Sequence, residues 1–144
     1  MKIEEIYEEW ERDGTIDITN ISGESVRIPK LHNKYFRYYV EESLRLKALR
    51  AEYKKLYKLK SDYYRGDLDK EELKELGWPI QNLKILRTDI PTYVESDSDI
   101  INMTLKIGMS EAKVEYLESI VKQINNRGYQ LKNITDWERF KSGG

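Results

Sequence analysis

Apolar residues recur at helical spacing over most of the chain, and the breaks in that period divide it into segments. Ile3, Ile6, Tyr7 and Trp10 share one face and Gly14 stands where a C-terminal cap belongs. Residues 1–14 are therefore predicted as a short amphipathic helix whose apolar face needs a partner. Asn20, Ser22, Gly23 and Ser25, interrupted by isolated apolar residues, read as a loop from Thr15 to Ile28 with at most a brief extended piece. From Pro29, tolerated in a first helical turn, no Gly or further Pro intervenes before Gly66, which follows as a stop. Residues 29–65 are predicted as one long basic helix. About 35 residues at roughly 1.5 Å rise span about 50 Å, more than a chain of this size covers on one side, so packing against copies of itself is expected. Tyr35, Tyr39, Leu46, Leu49, Tyr53 and Leu56 gather on one side of it, the last four at the alternating spacing of a coiled-coil seam.

Beyond Gly66, Asp69 with Glu72 forms a capping-box pattern, and Leu73, Leu76 and the terminator Gly77 complete a short helix at 68–77. Ile80 to Val94 reads as an irregular connection, because the LKIL and TYV stretches have strand composition while Pro91 sits between them. Ser96 to Asp99 offer N-caps for a second long helix, 97–127. Ile100, Ile101, Met103, Leu105, Val114, Leu117, Ile120, Val121 and Ile124 keep its period. Gly108 is a point for it to kink or split, Gly128 is a cap beyond its end, and Thr135 with Glu138 suggests a terminal turn at 135–141. The expected fold is mainly α, a single domain over 1–144 with two long amphipathic helices plus short terminal and connecting helices. A chain this small does not bury both long apolar faces alone. Leu46, Leu49, Tyr53 and Leu56, with Val114, Leu117, Ile120, Val121 and Ile124, are accordingly the expected contacts of a homo-oligomer.

Charge changes this picture more than composition does. The net charge is only -1, but Met1 to Val26 carries eight acids against Lys2 and Arg12, whereas Lys30 to Lys60 carries ten bases against Glu41, Glu42 and Glu52. These segments read as complementary patches, within one chain or between subunits. Cysteine is absent, so no disulfide, thiolate nucleophile or cysteine metal site is available, as suits a reducing compartment. The acidic start argues against a signal peptide, and no window approaches a membrane span. A soluble intracellular protein without membrane contact is expected.

Little in the chain suggests catalysis. His32 is the only histidine, which excludes a His-based triad or zinc site within one chain, and no Gly-rich phosphate loop occurs. Asp67, Asp69, Glu71 and Glu72, or Asp97 and Asp99, are carboxylate clusters of the kind that hold magnesium, but they coincide with helix starts, where acids favour the positive end of the dipole. No enzyme activity, metal or cofactor is expected.

Binding chemistry is better represented. Lys47, Arg50, Lys54 and Lys58 form a stripe beside the apolar seam, which either solvates the helix or meets phosphate. The run from Tyr53 through Lys54, Lys55, Lys58, Lys60, Tyr63, Tyr64 and Arg65 interleaves bases with aromatics. Cations hold phosphates while rings stack on unpaired bases; equally, the tyrosines pack the seam and cap the helix. On a helical wheel Lys60 leaves the stripe and points toward the seam. Either the helix ends or bends there, or Lys60 faces an interface or pore.

Tyr57-Lys58-Leu59-Lys60-Ser61-Asp62-Tyr63-Tyr64 resembles the Leu-Lys-Ala-Arg-Leu-Asp-Tyr-Tyr segment of the UvsY family of phage recombination mediators. Both cations survive, although Lys60 replaces a bidentate, stacking guanidinium. Ile16-Asp17 after the acidic start, and Asn126-Arg127-Gly128-Tyr129 followed by Lys132, Ile134, Asp136 and Phe140, extend the likeness, which is weakest from Leu68 to Ser96. The resemblance implies a helical, ring-forming, non-enzymatic protein of DNA recombination, repair and replication in the cytoplasm of an infected bacterial host. It implies that single-stranded DNA, the phage single-strand-binding protein and a UvsX-type recombinase are its partners. Lys58, Lys60, Tyr63, Tyr64, Arg65, Lys54, Lys55, Lys47 and Arg50 are then the expected DNA contacts, and the C-terminal region helps build the ring. From the residues alone, a coiled-coil scaffold or adaptor that binds no nucleic acid stays open.

Overall fold

The computed structural model describes residues 1–143, and among these every regular element is helical. The helices are α1 (Ile3–Gly14), α2 (Ile21–Arg65), α3 (Lys70–Leu76), α4 (Ile90–Glu95), α5 (Ser98–Asn125) and α6 (Arg127–Lys141), with a 3₁₀ turn at Arg87–Asp89. The residues expected as one domain divide into two compact units, Met1–Ser43 with Glu111–Gly144, and Leu44–Ser110.

In the first unit, Ile6 of α1, Leu31 and Tyr35 of α2, and Leu117, Ile120 and Ile124 of α5 form one core, with Trp10 and Val121 packed against it. Burying each aliphatic side chain of this kind contributes about 1.5–3 kcal/mol relative to leaving it exposed. Tyr35 is fully enclosed, and its hydroxyl donates to Asp13 Oδ2 at 2.8 Å, the oxygen that Lys34 Nζ reaches at 2.7 Å. Burial by itself raises the Asp13 carboxyl, but these two bonds outweigh it and hold the group below its ordinary range. Part of the acidic start thus meets part of the basic middle within one chain. Gly14 is not a left-handed cap, as its φ is not positive. A Cβ there would lie 2.9 Å from the Trp10 ring. Its carbonyl accepts from Arg127 Nη2 at 2.9 Å, which ties the start of α6 to the end of α1.

Several predicted boundaries are corrected. The long helix starts at Ile21 rather than at 29, because Asn20 caps it, its side chain accepting from the Gly23 N–H at 3.2 Å. The apolar period through Ile21, Ile28 and Leu31 was hidden by Glu24, a buried carboxylate whose charge Arg27 meets at 2.9 Å. Pro29 lies inside the helix. Pro29 and Ser25, whose carbonyl loses its intrahelical donor, are both exposed, which leaves that group open to solvent.

Ile80 to Val94 is not irregular throughout, since α4 occupies its end with Pro91 in the first turn. Ile90 and Val94, four residues apart, close onto Ile100, Tyr53, Leu56, Tyr57 and Tyr64, and this contact outweighs the strand-like composition. α5 passes through Gly108 unbroken. The terminal turn expected at 135–141 is the end of the 15-residue α6, in which Gly128 is helical and Thr135 donates to the Leu131 carbonyl at 3.0 Å instead of capping. Buried Arg127 and Leu131 anchor that extra length.

At the end of α2 the chain reverses through Gly66, at φ +79°. The Asp67 N–H donates to the Asp62 carbonyl and the Gly66 N–H to the Tyr63 carbonyl, a Schellman pair. α3 follows, its first turn capped by Asp69, which accepts from the Glu72 N–H at 2.8 Å.

Candidate nucleic-acid interface

Within the second unit, α2 has two unlike faces. Leu46, Leu49, Lys60 and Tyr63 are buried, and Tyr53 and Leu56 are half-buried against α4. Lys47, Arg50, Lys54, Lys55 and Lys58 are exposed. The spacing of Lys47, Arg50, Lys54 and Lys58 keeps their side chains along one ridge, a line of positive charge open to water. Lys58 Nζ lies 3.2 Å from Asp62 Oδ2 with its side chain 81% exposed, so the pair is loose and solvent-screened. Arg65 is also exposed, bonded to Asp62 and, at 3.1 Å, to Asp67.

Lys60 does not belong to this row. Its side chain is 5% exposed, with Nζ 3.1 Å from Asp97 Oδ2, 2.9 Å from Asp99 Oδ2 and 3.8 Å from the centre of the Trp78 ring. It is turned away from solvent, and α2 continues past it to Arg65. Asp97 serves twice: Oδ1 accepts from the Asp99 N–H at 2.8 Å, capping α5, while Oδ2 accepts from Lys60 and from the Tyr64 hydroxyl at 2.6 Å. Burial by itself raises the Asp97 carboxyl, but these bonds outweigh it and keep it below its ordinary range. Burial and the same carboxylate push the Tyr64 hydroxyl far up. Sequence reasoning missed this cage because Asp97 and Asp99 were fully explained as caps, although the odd direction of Lys60 on the wheel was a signal for it.

The tyrosines are likewise committed. Tyr63 is buried, donates to the Pro79 carbonyl at 2.7 Å and sits edge-on to Trp78 at 5.2 Å, so it offers no face to a base. Tyr64 is half-buried beside it. Of the expected DNA contacts, the structure brings Lys47, Arg50, Lys54, Lys55, Lys58 and Arg65 to solvent and withdraws Lys60 and Tyr63.

Most of the expected oligomer contacts are occupied by packing within the single chain. Leu117, Ile120 and Ile124 fill the first unit's own core, Val121 packs against it, Val114 is half-buried, and Leu46 and Leu49 are buried in the single chain. Apolar surface remains on α6, where Trp137 and Phe140 stack at 5.6 Å and, with Asn133 and Asp136, line a shallow concavity. Tyr129 on the same helix is exposed too. Among the described residues no group of carboxylates, His or Cys is placed to hold a metal ion, and no helix is long and apolar enough to cross a membrane.

Residues 9–144 match the model of one protein family, described as recombination, repair and ssDNA binding protein UvsY. A curated relative, recombination protein uvsY of Enterobacteria phage T4, is 24% identical over 145 residues, covering 99% of each chain. Two crystal structures of the bacteriophage T4 recombination mediator protein UvsY share the fold. Lattice type II has a TM-score of 0.83 at 21% identity, covering 99% of this chain and 98% of that one. Lattice type IV has a TM-score of 0.84 at 21% identity, covering 97% and 99%.

Proposed function

The chain belongs to the UvsY family of recombination, repair and single-stranded-DNA-binding proteins, and we propose that it is a non-enzymatic mediator that loads a UvsX-type recombinase onto single-stranded DNA. It acts in the cytoplasm of the infected bacterial host, on DNA covered by the phage single-strand-binding protein. The observation that carries this reading is the exposed row Lys47, Arg50, Lys54 and Lys58 on α2 of a chain whose net charge is -1. Positive charge collected on one ridge of a near-neutral protein serves a polyanion rather than general solubility. One ridge is a weak site. A ring-like homo-oligomer, joined through the exposed aromatic face of α6, presents several at once, and these add through effective concentration.

Fluorescence polarisation of a labelled oligothymidylate across a salt series tests the reading. Wild-type binding weakens steeply with salt, and the double variant Lys54→Ala/Lys58→Ala loses about 1.4 from the log–log slope, about 0.7 for each phosphate contact on a single strand. Absence of wild-type binding at low salt would leave a scaffold whose basic row only solvates it.

A further inference from the structure

Arg50, Lys54, Tyr57, Ser61 and Arg65 succeed one another at spacings of four, three, four and four residues, a single stripe along α2 beside the exposed lysines. At its C-terminal end the stripe meets a second segment. Tyr57, Ser61 and Arg65 share a concavity of about 200 Å³ with Arg87 of the 3₁₀ turn and with Ile90 and Pro91 at the start of α4. We infer that this concavity seats one nucleotide of the bound strand, its phosphate held by Arg65 and Arg87 and its base laid against Tyr57 and Pro91. The inference rests on the DNA-binding reading and deepens it, since it adds Arg87, Tyr57 and Pro91 to the path.

The chemistry favours a nucleotide over a bare anion. Two arginines from different segments line one hollow together with a tyrosine, two apolar residues and Ser61, whose hydroxyl donates to the Tyr57 carbonyl. That combination matches a phosphate joined to a flat, mostly apolar base. The lysine ridge supplies charge but no ring; the concavity supplies the ring where the ridge ends. From Arg50 to Arg65 the stripe runs about 22 Å at 1.5 Å rise per residue, room for several nucleotides of an extended strand. Carboxylates lie close by. Asp62, itself half-buried, and the exposed Asp67 bond Arg65, and a bound phosphate competes with both. Burial, then the charge of nearby Glu95, raise the Tyr57 hydroxyl, so it stays neutral and adds no repulsion.

The test is oligothymidylate binding by the full chain, comparing wild type with Arg87→Ala, Tyr57→Leu, Lys54→Ala/Lys58→Ala and, as a control on the same connection but outside the concavity, Lys84→Ala. Arg87→Ala is expected to bind about tenfold more weakly with a salt slope lower by about 0.7. Tyr57→Leu is expected to bind about tenfold more weakly with an unchanged slope, because stacking releases no counterions. Lys84→Ala should match wild type. If Arg87→Ala and Tyr57→Leu both bind like wild type while the lysine double variant fails, the nucleotide seat is wrong and the DNA reading stands. If wild type itself does not bind, both fall. If Arg87→Ala keeps DNA binding but loses a polyglutamate peptide that wild type retains, the concavity serves an acidic partner and the inference is overturned.

Discussion

Lys58 and Lys60 stand two residues apart on α2 and leave it on opposite sides, the first side chain 81% exposed and the second 5%. Two residues of helix turn the chain by about 200°, so adjacent cations of one motif serve different ends. Lys58 belongs to the exposed row proposed to meet a polyanion. Lys60 neutralises Asp97 and Asp99 under Trp78 and fastens the last turns of α2 to the start of α5.

Alanine at the two positions should therefore separate binding from stability. Removing one partner of a buried ion pair strands the other, and Lys60→Ala is expected to cost about 3 kcal/mol, a fall of about 6–12 °C in melting temperature. Lys58→Ala should melt close to wild type and weaken oligonucleotide binding. Calorimetry beside polarisation checks both. Equal melting of the two variants would mean that the Lys60 cage contributes nothing.

Acid should act through Asp97 and Asp13. Both carboxyls are held below their ordinary value near 3.8 in the folded chain, so the folded state keeps them charged to lower pH than the unfolded state does. Their contribution is complete above that ordinary value and is lost as pH falls through the lower folded values. The melting temperature should drop as pH falls from about 5 toward 3. Asp13→Asn/Asp97→Asn should be less stable at neutral pH and show a flatter acid limb. An acid limb as steep as that of wild type would place the titration elsewhere.

Assembly is expected to depend on α6. Trp137 and Phe140 are 58% and 75% exposed, so replacing both by Ser removes little from the chain's own packing. Light scattering should show smaller particles for Trp137→Ser/Phe140→Ser with helicity retained by circular dichroism. Particles of wild-type size would move the subunit contact away from this face.

Helix content was readable because period and punctuation agree at Gly66, Asp69 and Gly77, where caps act locally. The misread boundaries share one cause. Glu24 on the apolar face, Pro91 among strand formers and Gly128 at the head of α6 each carry the wrong local signal; Arg27 meets the Glu24 charge one turn on, while the other two are overridden by contacts with residues distant in sequence. The site divided in the same way. Exposure of Lys47, Lys54 and Lys58 follows from helical spacing alone, whereas the withdrawal of Lys60 and Tyr63 depends on Asp97, Asp99, Trp78 and Pro79, which no period brings near α2. Arg87 was invisible for that reason too, lying in the segment with no pattern.

Leu31 and Tyr35 find Leu117, Ile120 and Ile124 within their own chain. A helix pair that fills its own seam reaches its fold by a first-order process whose rate does not change with dilution, unlike an obligate dimer, whose subunits are unstable apart. Assemblies of such chains can trade members without any member unfolding. Two differently labelled preparations, once mixed, should scramble on the timescale of dissociation, orders of magnitude sooner than either melts.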